Sequence, residues 1–101
     1  MSPVIEVAQM HHVPLHMDGA RLFNAAVSLG VTAAELAAPA DSITFCLSKG
    51  LGCPIGSLLC GSHEFINRAL KIRKTLGGGM RQAGIIAAPG IWALENMIGR
   101  L

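Results

Sequence analysis

Charged side chains are scarce in this chain. Asp, Glu, Lys and Arg make up 14% of its 101 residues and apolar residues make up 51%, against about 25% and about 45–50% in ordinary globular domains. The length is enough for one small domain, but it carries more apolar surface than a free-standing domain of that size easily buries. It therefore reads as a unit that packs against more protein, or as a slice of something larger. Tyrosine is absent and Trp92 is the single tryptophan, which fits an interior built from Ala, Leu, Ile and Gly. The three cysteines, Cys46, Cys53 and Cys60, form no C-x-x-C pair, so neither a zinc knuckle nor a redox dithiol is indicated. Reduced thiols are the default. No uncharged stretch, such as 22–34 or 50–62, is long enough to span a bilayer. Met1-Ser2-Pro3 leads straight into Val4-Ile5-Glu6 with no secretory leader, and a transit peptide on a longer parent stays open.

The net charge of +2 is unevenly spread. Arg68, Lys71, Arg73, Lys74 and Arg81 cluster, with only Glu64 near them. The cluster reads either as a solvated helix face or as an anion site. It lacks the interleaved aromatics and the motif of a nucleic-acid binder.

Local signals give an element order. Ser2-Pro3 starts a helix that fades near His11-His12. Val13 to Met17 is a short apolar run, as expected of a strand buried on both faces. Ala20 to Leu29 has helical spacing and ends at Gly30. Thr32-Ala33-Ala34-Glu35 is a capping-box pattern for a short helix that Pro39 ends. Ser42 to Leu47 and Ile55 to Cys60 read as strands. Ser62 opens a helix that stops at Gly77-Gly78-Gly79, and Gln82 to Met97 is helical with a kink at Pro89-Gly90. This predicts an α/β fold. The first two strands are far enough apart in sequence for parallel pairing, and the direction of the third is open.

Two residues then stand out. Asp18 closes the first strand and Lys49 follows the second, so both fall at carboxyl ends of strands, where open α/β sheets gather ligands. An acid and a lysine so placed suit pyridoxal phosphate. The lysine would form a Schiff base and the acid would pair with the pyridine nitrogen. At roughly 4 Å and an effective dielectric near 20, that last attraction is about 4 kcal/mol, provided the acid is buried. Burial would likewise favour the free amine of the lysine. Gly50 and Gly52 would let the backbone pass close to a flat cofactor. The plainer readings are a turn aspartate in Asp18-Gly19 and a lysine snorkelling at a strand end. His16, on the same strand as Asp18, either orients that acid or makes a structural hydrogen bond. With Asp18 it does not close a metal shell. Cys53 reads as a small buried residue.

Three segments carry a family resemblance. His16-Met17-Asp18-Gly19-Ala20-Arg21-Leu22-Phe23-Asn24-Ala25-Ala26 resembles the aspartate segment of the L-threonine aldolases. Ser48-Lys49-Gly50-Leu51-Gly52-Cys53-Pro54-Ile55-Gly56 resembles their lysine segment. Arg73-Lys74-Thr75-Leu76-Gly77-Gly78-Gly79-Met80-Arg81-Gln82-Ala83-Gly84 resembles a third. The wider group is the aromatic amino acid β-eliminating lyases and threonine aldolases, with the aspartate-aminotransferase-like fold.

The resemblance implies that residues 1–101 are part of the large domain of a fold type I enzyme, with three strands of a mostly parallel sheet. It implies pyridoxal 5'-phosphate as cofactor, Asp18 on its ring nitrogen and Lys49 as the Schiff-base lysine. Arg21 would lie near the phenolic oxygen or the substrate carboxylate. Arg81, with Lys74 beside it in the motif, would reach a phosphate across a subunit interface. The implied reaction is cleavage of threonine or allo-threonine to glycine and acetaldehyde, in a cytoplasmic or mitochondrial homo-oligomer. Family members are much longer, and the resemblance leaves a phosphate-binding region upstream and a small domain downstream unaccounted for. Two readings follow. One is a piece of a working aldolase or a related β-eliminating lyase, with little activity alone. The other is a silent chain that pairs with full-length subunits.

Overall fold

The computed structural model describes residues 2–101. The elements are α1 (Pro3–Met10), β1 (His16–Asp18), α2 (Leu22–Leu29), α3 (Ala33–Ala37), β2 (Ser42–Cys46), β3 (Ser57–Gly61), α4 (His63–Thr75) and α5 (Gly84–Asn96), followed by a 3-10 turn at Ile98–Arg100. This is the predicted order. The punctuation residues act as their chemistry dictates. Gly30 ends α2 at φ 67°, a conformation that favours residues without a Cβ. Ser62 accepts the Phe65 N–H and starts α4. α5 runs through Pro89 as one helix.

The short α3 depends on its cap. Glu35 accepts from the Thr32 N–H at 2.7 Å and from the Thr32 hydroxyl at 2.8 Å, while Thr32 Oγ1 accepts the Glu35 N–H at 3.1 Å. The backbone bond first, then the hydroxyl bond, hold the Glu35 carboxyl below its ordinary value of 4.5. The charged carboxylate accepts both bonds more strongly than the neutral acid does. The stabilisation is therefore full above 4.5 and fades as pH falls through the lower folded value. Amide protection of α3 is expected to decline as pH falls below 4.5, and Glu35→Gln should flatten that decline in hydrogen exchange. An unchanged profile would show that the cap does not hold α3.

The sheet has the order β1-β2-β3. β1 and β2 are parallel, with His16 opposite Ser42 and Asp18 opposite Thr44. β2 and β3 are antiparallel, with Ser42 opposite Gly61 and Cys46 opposite Ser57. The three strands form a mixed sheet, because the chain after β2 turns back through a loop and re-enters antiparallel beside the strand it left, which settles the direction of the third strand. The first strand is also shorter than Val13 to Met17 suggests, and it is not buried on both faces. Only Met17 is half-buried, with His16 and Asp18 exposed. The reason is position: β1 is an edge strand, and only the central β2 is largely buried.

The core lies on the β2 face that carries Ile43 and Phe45. It joins Leu22, Ile43, Phe45, Leu47, Leu51, Cys53 and Ala93, and Phe23 meets Phe45 edge-to-face at 5.3 Å. The molecule is a slab of 42 × 37 × 17 Å with a radius of gyration of 15.0 Å, against about 13 Å for a round domain of this length. A thickness of 17 Å holds little more than a sheet and one helix layer. Large apolar side chains such as Met10, Ile85 and Trp92 consequently stay exposed, as the composition implies. Among the described residues, no helix is long and apolar enough to cross a membrane.

Candidate active site

The site is built where two parallel strands end together. β1 closes on Asp18, whose Oδ1 accepts the Ala20 N–H at 3.2 Å. That Asx turn redirects the chain into α2. Gly19 donates to the Thr44 carbonyl at 2.7 Å. A Cβ on Gly19 would lie 2.8 Å from Ile43 Cδ1 and 3.2 Å from that carbonyl oxygen, so only glycine brings the chain this close to β2. Cys46 N–H donates to the Ala20 carbonyl at 3.2 Å and fastens the start of α2 to the end of β2.

Arg21 occupies the N-cap position of α2 and makes no capping bond there. A cation at the positive end of a helix is unfavourable by roughly 0.3–1 kcal/mol, so helix stability does not explain this residue. Arg21 and Asp18 line one shallow groove of about 370 Å³ with Met17, Leu22 and Leu36.

Lys49 sits in the loop joining β2 to β3. Three buried residues hold that loop down: Leu47, Leu51 and Cys53, at 4%, 3% and 8% exposure. Its backbone is pinned by Leu47 N–H to the Gly56 carbonyl at 2.9 Å, Cys53 N–H to the Leu47 carbonyl at 3.0 Å and Gly52 N–H to the Lys49 carbonyl at 2.9 Å. The Cys53 thiol lies 3.5 Å from the Pro89 carbonyl. Lys49 itself is exposed, on a rigid base.

Asp18 is exposed as well, so the condition of burial attached to both residues is not met in this chain. In this chain a carboxylate–pyridinium pair at 4 Å would be worth nearer about 1 kcal/mol, the value for water, than about 4. Arg81 lies exposed in the turn before α5 and does not line the groove of Asp18. The basic cluster on α4 is solvated throughout; Arg68 and Arg73 edge one apolar cavity of about 400 Å³ beside β3. His16 bonds Ser42 Oγ at 2.8 Å through Nδ1 and Thr44 Oγ1 at 3.2 Å through Nε2. It ties β1 to β2 and does not bond Asp18.

Two glycines have reasons other than cofactor approach. Gly52 has φ 77°, a turn conformation that favours glycine. The space beside Gly50 is filled by Asn24 of α2, a residue that sequence reasoning passed over.

Comparison with known proteins gives a consistent answer. The Beta-eliminating lyase family profile matches residues 1–101. The chain is 53% identical over 96 residues to the low-specificity L-threonine aldolase 1 of Arabidopsis thaliana, covering 95% of this chain and 27% of that protein. It is also 53% identical over 96 residues to the low specificity L-threonine aldolase of Escherichia coli K12, covering 95% of this chain and 29% of that protein. The chain thus spans under a third of the length of these relatives. A crystal structure from Exiguobacterium, described as a candidate aromatic amino acid beta-eliminating lyase/threonine aldolase, superposes with a TM-score of 0.90 at 30% identity, over 97% of this chain and 28% of that one. A candidate L-allo-threonine aldolase from Listeria monocytogenes superposes with a TM-score of 0.90 at 27% identity, over 96% of this chain and 27% of that one.

Proposed function

The chain belongs to the beta-eliminating lyase family, and from that premise we propose that it supplies the ring- and aldehyde-binding part of a pyridoxal-phosphate site. In the whole protein that site would cleave L-threonine or L-allo-threonine to glycine and acetaldehyde. One observation carries the reading: β1 and β2 run parallel and end together, with Asp18 closing one and Lys49 following the other.

The residues fit the group chemically. Among the described residues, Asp18 bonds only the Ala20 N–H, through Oδ1, which leaves Oδ2 to hold a proton on a ring nitrogen. Lys49 offers an exposed amine on a pinned loop, suited to a covalent bond with an aldehyde carbon. Bound pyridoxal phosphate supplies an electron sink for the pair released when Cα–Cβ breaks. Arg21, whose charge the helix does not want, is the group to hold a carboxylate or phenolate oxygen. Arg81 is assigned to a phosphate presented by a second subunit of a homo-oligomer. In the overall reaction the β-hydroxyl loses a proton, Cα–Cβ breaks and Cα gains a proton.

A second reading has support from the flat shape and exposed apolar residues: a chain that only pairs with longer subunits. Borohydride fixation of pyridoxal phosphate on the purified chain, followed by peptide mapping, separates the two. The expected result is label on Lys49 in about tenfold or greater excess over Lys71 and Lys74, because a held aldehyde reacts at a high effective concentration. Even labelling of the three lysines would sink the site reading and favour the pairing chain.

A further inference from the structure

We infer that Asn24 is a positioning residue for Lys49: its side chain fills the space beside Gly50 and clamps the Lys49–Gly50 peptide to the helix that departs from Asp18. The evidence begins with Gly50. It is not among the glycines with positive φ, which are Gly30, Gly52, Gly56 and Gly77, so its backbone does not demand glycine. What excludes a side chain is Asn24. A Cβ on Gly50 would fall 2.7 Å from Asn24 Cγ and 2.8 Å from Nδ2, and the three nearest atoms all belong to the Asn24 amide.

Asn24 is also a poor residue for its place. It sits inside α2, where asparagine is a weak helix former, and it is half-buried. Its contact with Gly50 gives it a use. α2 starts four residues after Asp18, and Gly19 and Ala20 fasten that start to β2. Asn24, on the same helix, has its amide against Gly50, the residue after Lys49. Asp18 and Lys49 are thereby referenced to one rigid element, and their separation is set by α2 rather than by the loop alone. The consequence for the cofactor rests on the proposed function; the contact does not.

The test is a double-mutant cycle on the full chain with Asn24→Ala, Gly50→Ala and the pair. The first readout needs no cofactor: the acetylation rate of Lys49 by acetic anhydride, relative to Lys71 and Lys74 in the same sample. Gly50→Ala should change that ratio about threefold or more when Asn24 is present and leave it unchanged in the Asn24→Ala background, since coupled neighbours depart from additivity by such factors. An equal effect of Gly50→Ala in both backgrounds overturns the clamp. The second readout is the share of borohydride-fixed pyridoxal phosphate on Lys49. Asn24→Ala should lower it about threefold or more, and the isosteric Asn24→Asp should retain it. A share unchanged in Asn24→Ala overturns the positioning role. If the unmodified chain labels its lysines evenly, the proposed function fails and the acetylation cycle alone decides the clamp.

Discussion

Leu47→Ala is expected to destabilise the chain by about 2–5 kcal/mol, a large part of the roughly 5–15 kcal/mol that holds a domain together. Leu47 is only 4% exposed, and it sits where two glycines make room for it. A Cβ on Gly90 would lie 2.9 Å from Leu47 Cδ1, and one on Gly56 would lie 3.2 Å from the same atom. Truncation leaves a void bounded by α5 on one side and by the loop on the other. The void cannot close cheaply, because the Leu47 backbone is tied at both ends, by its N–H to Gly56 and by its carbonyl to Cys53. The cost should therefore fall in the upper half of the range. Urea unfolding measures it as a lower midpoint with an unchanged slope. A loss below about 1 kcal/mol would mean that Leu47 does not anchor the Lys49 loop.

Much of the architecture was legible because its signals are local. Ser62, Gly30, the Thr32–Glu35 box and the triple glycine after α4 each act within one turn of the chain, and each marks the boundary its chemistry implies. The placement of Asp18 and Lys49 at strand ends came from the same source. The direction of β3 was not legible, since a loop of this length admits either pairing and the outcome depends on how Leu47, Leu51 and Cys53 fold the loop down. Exposure was also misjudged. An apolar run reads as buried on both faces, but β1 lies at the edge of a three-stranded sheet.

The contact between Asn24 and Gly50 was out of reach for a different reason. It joins residues far apart in sequence, and neither residue type advertises a partner. The glycines of the lysine segment drew attention as openings toward a cofactor, whereas the chain itself occupies one of those openings. The only available hint was an asparagine inside a helix that its propensity does not favour.

Lys49→Ala is expected to lower pyridoxal phosphate fixed at the loop by about a hundredfold and to leave stability within about 0.5 kcal/mol. The two halves follow from one geometry. The Lys49 side chain is exposed while its backbone is pinned, so removing the side chain takes nothing from the core. The loss of label follows from the amine's position. If Asp18 holds the ring nitrogen, the aldehyde end is presented to the loop amine at an effective concentration that solution lysines cannot match, whereas the other two lysines, Lys71 and Lys74, are carried by a different element, α4. Asp18→Asn separates the contributions. It keeps the Asx oxygen that accepts the Ala20 N–H and removes the charge that keeps a ring nitrogen protonated, so label on Lys49 should fall with little change in the unfolding midpoint. If Lys49→Ala shifts the label in full to Lys71 and Lys74, the amine at the loop was never selected. If Asp18→Asn leaves the Lys49 label untouched, the carboxylate is a turn residue and the two strand ends do not act together.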